Sequence, residues 1–288
     1  MCPAMTAAAV SAAHLPEGPI RVGSEDHKQL FCRVFLDTFD PYKPAVIAWP
    51  RLDADALARL TGLPFWQMAV ETEHEAGGRM QAAADAAADP LIREAIALNA
   101  FEERRHKDVL ENMIRFYGIA IAPDLAPIRL PNPEWAFMQT GYGEAFDSFF
   151  AFGLFRIAKD SGYFPHALVE VFEPVIQEEA RHILFFANWV AYLQANRPLL
   201  ARPLFFARRL RALAEKAWNR LQFARGTDNR SSMTMDGHKS LGISLTPRKF
   251  LALCLAENDR RMSRYDARLL RPQFMPMLVR AALPFLGR

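Results

Sequence analysis

Glu102-Glu103-Arg104-Arg105-His106 and, 76 residues later, Glu178-Glu179-Ala180-Arg181-His182 decide how this chain folds. Both copies read Glu-Glu-x-Arg-His, and each contains Glu-x-x-His. On a helix that spacing puts a carboxylate and an imidazole one turn apart on the same face. The face around the first copy carries Ile92, Ile96, Asn99, Leu110 and Met113; around the second it carries Val175, Ile176, Phe185 and Phe186. A Glu and a His inside an apolar stripe are costly unless they are paired or bound to a cation. Two such helices meeting in a bundle core supply most of a dinuclear carboxylate metal site.

Reading outward, Asp89-Pro90 is an N-cap followed by a first helical residue. The helix it opens carries the first copy and runs to Tyr117, where Gly118 is a stop signal. Upstream, a helical pattern extends from about residue 63, with Pro64 in its first turn, to the Ala-rich stretch before Asp89. Residues 118–134 hold Pro123, Pro127, Pro131 and Pro133, a density that predicts a long connection without a helix. A third helix is expected from about Thr140 to Asp160, then a turn at Ser161, Gly162 and Pro165. A fourth carries the second copy to about Asn196, with a break near Pro174. The expected fold is all-α: two antiparallel helix hairpins joined by one long crossover, a four-helix bundle with extra C-terminal helices.

Such a bundle needs one carboxylate from each of the other two helices. On the first helix, Glu73 shares a face with Trp66, Val70, Gly77, Met80 and Ala84, whereas Glu71 shares one with Gln67, His74 and Gln81. A carboxylate in the apolar stripe is the anomaly, so Glu73 is the expected ligand and Glu71 the alternate. His74 reads as an exposed helix residue between Glu71 and Glu75, with an extra ligand as the other option. The third helix offers Glu144 and Asp147, one turn apart and barely separable as ligands. The expected ligand set is therefore Glu73, Glu103, His106, Glu144, Asp147, Glu179 and His182. The repeated Arg105 and Arg181 are expected either to donate to the ligand carboxylates from behind or to form surface salt bridges. Gly77, Gly78 and Gly153 are expected to leave room beside the site, and the phenylalanines of the third helix to be mostly core with a subset lining a pocket.

The duplicated Glu103-x-x-His106 and Glu179-x-x-His182, each with a carboxylate upstream, resemble the ferritin-like di-iron carboxylate superfamily over residues 63–196. The Glu-Glu-x-Arg-His form is similar to the oxygenase branch, which includes arylamine N-oxygenases and related hydroxylases. That resemblance implies two iron ions, manganese being the other metal suited to oxygen and imidazole donors. It also implies O2, an external electron donor, and oxidation of a small apolar or aromatic organic substrate by hydroxylation or N-oxygenation. Two other readings stay open: an iron-binding protein of ferroxidase type, and a non-enzymatic helical protein with a relic metal site.

The chain has 288 residues, 51% of them apolar and 23% charged, enough to bury a sizeable core. No apolar run approaches the ~20 residues of a membrane span. Cys2, Cys32 and Cys254 are scattered without CxxC spacing, which argues against a disulfide framework or a zinc ribbon and leads to the expectation of a cytoplasmic protein. The net charge of +3 is unevenly placed: residues 197–225 carry +7, 248–288 carry +6, and the first 196 residues carry −10. The expected division is a tail and leading segment (1–62), the bundle (63–196) and a basic helical extension (197–288). That extension is expected to face the acidic part of the same molecule, with a phosphate-bearing partner or an anionic membrane surface as the alternatives. Its basic and aromatic helix 198–225 has the character of a packing or homodimer interface, with a membrane-interfacial role as the alternative. No nucleic-acid-binding module is recognisable.

Overall fold

The structure is a computed structural model that describes residues 17–122, 125–130, 132–224 and 245–286. Residues 1–16 of the expected tail and most of the polar linker 226–246 lie outside it. The described residues form helices and connections, with no strand among them.

Side-chain caps open several of the helices. Ser24 Oγ accepts from the His27 amide at the start of α1 (Glu25–Asp37), and Asp53 accepts from the Ala56 amide at α2 (Ala54–Thr61). α3 (Trp66–Ala86) is followed after a short turn by α4 (Pro90–Tyr117). Asp89 caps α4 by accepting from the Leu91 and Ile92 amides, and Gly118, at φ +66°, ends it. α5 spans Pro133–Ser161, starting well before the expected Thr140. The described residues of the crossover form no helix before Asn132, but Pro133 sits in the first turn of α5, where a missing N–H costs nothing. Asn132 caps that turn by accepting from the Trp135 amide. The break expected near Pro174 falls at Phe172, between α6 (His166–Val171) and α7 (Glu173–Asn196), and Pro174 occupies the first turn of α7.

α3 packs against α4 and α5, and α7 packs against α5 and α4, so the four close a ring. Two apolar clusters show how they run. One cluster takes Met80 and Ala84 of α3, Leu91 and Ile96 of α4, Phe137 and Met138 of α5, and Ile183 to Phe186 of α7. The other takes Trp66 and Val70 of α3, Met113 and Ile114 of α4, and Phe149 and Phe150 of α5, with Phe172 at the head of α7 packed against it. α3 and α7 therefore run one way and α4 and α5 the other, which is why α4 and α5 need a long crossover rather than a hairpin turn. The residues that fall between the two clusters are Glu73, Glu103, His106, Glu144, Glu179 and His182.

α1 lies on α7 and α4 and contributes Leu30, Phe31, Val34 and Phe35 to the first cluster. α8 (Arg202–Ala224) packs on α5 and α7, as does α9 (Pro247–Met262); α10 (Phe274–Ala282) rests on α9 and α5. Charge ties this extension to the bundle: Arg197 pairs with Glu134, Arg220 with Asp147, and Arg261 with Glu173 at 3.1 Å. The glycines expected to leave room beside the site instead let elements touch. Gly77 lies against Ala100 and Arg104 of α4, Gly78 against Ile128 of the crossover, and Gly153 against Cys254 of α9. Among the described residues no helix is long and apolar enough to cross a membrane.

Candidate metal centre

Between the two apolar clusters the four helices bring six side chains together. Glu73 of α3, Glu103 and His106 of α4, and Glu179 of α7 offer ligand atoms that all lie within 4.8 Å of one another. Glu103, Glu144 of α5 and His182 of α7 form a second group that meets the same limit. The His106 and His182 rings stack with centroids 5.5 Å apart, and they are 1% and 0% exposed. Three residues named from the sequence fall outside both groups. Asp147 is engaged by Arg220, whose Nε donates to Oδ1 at 2.7 Å. Glu71 accepts from Gln67 at 2.7 Å. His74 belongs to neither group.

Each histidine is oriented from the opposite copy of the motif. His106 Nε2 donates to Glu178 at 2.8 Å, and His182 Nε2 donates to Glu102 at 2.9 Å. Carboxylates only accept, so the Nε2 proton is fixed and Nδ1 is turned toward the cluster. His106 Nδ1 lies 3.1 Å from Glu179 and 3.6 Å from Glu73; His182 Nδ1 lies 2.7 Å from Glu103. The arginines cross in the same way: Arg105 donates to Glu178 at 2.5 Å and Arg181 donates to Glu102. Their other amino groups reach the end of α1 and the chain beyond it. Arg105 donates to the Asp40 and Tyr42 carbonyls, and Arg181 to the Phe35 carbonyl and Thr38.

Arg105 and Arg181 thus form buried pairs with Glu178 and Glu102, and follow neither of the two expectations, donation to the ligand carboxylates or a surface salt bridge. The first Glu of each copy was given no role there. Its signal was present all the same, because it repeats along with the rest of the motif.

Electrostatics set Glu102 apart from Glu103 and Glu144. Burial opposes ionisation of Glu102, but the hydrogen bond from His182 and the charge of Arg181 outweigh it and lower its pKa to about 2. Glu103 and Glu144 go the other way. Burial and neighbouring carboxylates push both well above the usual carboxyl range. Burial also opposes the charge on Glu179, yet the close His106 and His182 imidazoles hold it below its ordinary value. For His106, burial opposes protonation, and the carboxylates of Glu178, Glu179 and Glu73 overcome it and raise its pKa well above that of free imidazole. The inner site is therefore short of positive charge, and protons are drawn into it.

The donor set fits a pair of divalent cations. His106 Nδ1, His182 Nδ1, Glu103 Oε1 and both Glu144 oxygens are buried without a hydrogen-bond partner. Buried polar atoms are rarely left in that state. The four inner carboxylates, when ionised, balance two doubly charged ions, and oxygen donors with one imidazole per ion suit iron or manganese. No protein-family model matches the chain, and no curated protein or solved structure matches it significantly.

Proposed function

We propose that this chain is a ferritin-like di-iron carboxylate oxidoreductase that uses O2 to oxidise a small organic substrate, with electrons from an external donor. Glu73, Glu103, His106, Glu144, Glu179 and His182 would hold the metals. When bound, two ferrous ions supply the electrons and open coordination positions that O2 chemistry requires. The single observation that carries this reading is the crossed pairing of each histidine Nε2 with the outer Glu of the other copy. Metal-binding histidines commonly donate their second ring N–H to a carboxylate, which fixes the tautomer and raises ligand basicity.

The chain's own residues prepare the site. Glu102 and Glu178 hold the imidazole protons away from the centre. Arg181 keeps Glu102 charged, and Arg105 holds Glu178 in place by donating to it. Ser148 donates to Glu179 at 3.3 Å and so steadies a carboxylate on the inner side. The apolar clusters on either side keep water from His106, His182 and Glu103, which strengthens the charge interactions there.

Anaerobic titration with ferrous ion is expected to saturate near two ions per chain. Aerobic incubation with a reductant is then expected to consume O2 without depositing ferric mineral. No saturable binding removes the proposal; mineral growth in place of turnover transfers the chain to iron handling.

A further inference from the structure

α8 leaves an apolar stripe facing outward. Leu200, just before the helix, and Leu204, Ala207, Arg211, Ala214 and Trp218 within it are all exposed, Leu200 at 96%, Leu204 at 68% and Trp218 at 55%. Phe205 and Ala212 bury the opposite face. Much of the helix's charge lies on that inner side: Arg209 donates to Tyr142 of α5 at 3.2 Å, and Arg220 pairs with Asp147. A large apolar surface turned to solvent marks a place where something else docks.

The stripe has a period. From Leu200 to Trp218 the steps are four, three, four, three and four residues, the alternation by which one helix presents a continuous seam to another. A lipid surface asks for a broad apolar face with cations on the other side and makes no such demand on spacing. The seam also alternates in bulk, with small Ala207 and Ala214 set between large residues.

Charge on the flanks chooses the partner and its direction. Arg208 and Glu215 stand seven residues apart, hence on one flank of the seam, with side chains 40% and 38% exposed. The other flank carries the uncharged Pro203, Leu210 and Ala217. When two copies of one helix pair antiparallel, each flank meets itself; when they pair parallel, each meets the other. The antiparallel arrangement alone sets Arg208 beside Glu215, and the twofold axis makes that pair twice. In the same register Trp218 of each copy lies over Ala207 of the other, so bulk meets space, and Arg211 lies beside Ala214 instead of its own equivalent.

We propose that α8 is the interface of a homodimer, pairing antiparallel with α8 of a second copy about a twofold axis between residues 212 and 213. The proposal does not depend on the metal reading.

Sedimentation equilibrium of the full chain is expected to give a dimer at micromolar concentration. Ala214→Glu puts a carboxylate into the seam at an exposed position; it is expected to weaken the dimer roughly a hundredfold or more, with circular dichroism unchanged. For the direction, Cys2→Ser protein carrying Ala207→Cys is mixed with Cys2→Ser protein carrying Trp218→Cys and oxidised in air; Cys32 and Cys254 are buried. A disulfide between unlike chains and none between like chains is expected, because equivalent positions stand well apart on either side of the axis. Links between like chains, as a parallel pair would give, or no link in the mixture, overturn the proposal. So does a monomeric wild-type chain, or a dimer indifferent to Ala214→Glu. A monomer whose Trp218 emission shifts to the blue on vesicles of anionic lipid overturns it as well, and gives the stripe to a membrane surface.

Discussion

The two halves of the centre carry the same five-residue motif in different surroundings. In the α3–α4 half, His106 faces Glu73 and Glu179, whose side chains are 19% and 15% exposed. Its outer partner Glu178 also accepts from Tyr42 at 3.2 Å, and Tyr42 lies 3.9 Å from the Arg105 guanidinium, ring over cation. In the α5–α7 half, His182 and the α4 residue Glu103 that faces it are 0% and 2% exposed, both Glu144 oxygens lack a partner, and among the described residues no tyrosine donates to Glu102. The repeated residues decide which atoms gather. The unrepeated flanks decide how dry each side is, and so which side a solvent-borne molecule meets first.

Glu103 and Glu73 test that asymmetry most severely. Glu103 belongs to both groups of donors and Glu73 to one. Glu103→Ala is expected to abolish metal binding while circular dichroism stays helical. Glu73→Ala is expected to reduce it from about two ions per chain to about one, by elemental analysis. Identical losses in the two variants would show that the halves do not act separately.

Glu102→Gln and Glu178→Gln probe the outer layer. Each is expected to weaken metal affinity roughly tenfold to a hundredfold. Removing one partner of a buried ion pair costs about 3–5 kcal/mol. Glu102→Gln should lie at the upper end in chemical unfolding, because Glu102 is the only carboxylate paired with Arg181 among the described residues, whereas Arg105 stays 3.5 Å from Glu102 when Glu178 is replaced. The reverse order would break the comparison.

Acidity gives a graded test. With no metal bound, Glu103 and Glu144 have raised pKa values, so the folded chain prefers them protonated and loses their contribution as pH rises through those values. Metal binding must displace these protons and the one on His106. Metal affinity should therefore fall as pH falls, and the metal-dependent rise in Tm should grow from acid toward neutral pH. A rise that is constant across that range contradicts the proton competition.

The smallest effect is expected at Asp147. Its ion pair with Arg220 is partly exposed, so Asp147→Asn should change stability by no more than about 1 kcal/mol and leave metal content untouched.

The α4 and α7 donors were legible because a buried Glu-x-x-His is anomalous and occurred twice. Glu73 was legible by the same logic, as the one acidic candidate in an apolar stripe. Glu144 and Asp147 could not be separated, since one turn places both near the inner face. What distinguishes them is Arg220, which arrives from α8, 73 residues along the chain. The crossed arginines were equally out of reach, because their anchors lie at the end of α1, and pairings that distant leave no local periodicity. Pro133 misled for the opposite reason: its effect depends on whether it falls inside a helix or at the first turn.

The crossing of the clasps has a consequence for assembly and descent. A lone hairpin with one Glu-Glu-x-Arg-His copy closes neither clasp, since its histidine waits on a carboxylate from elsewhere. Two identical hairpins facing each other across a twofold axis would close both at once. A one-copy precursor could thus have formed such a centre only as a symmetric pair, and fusing the pair freed each flank to change without its twin.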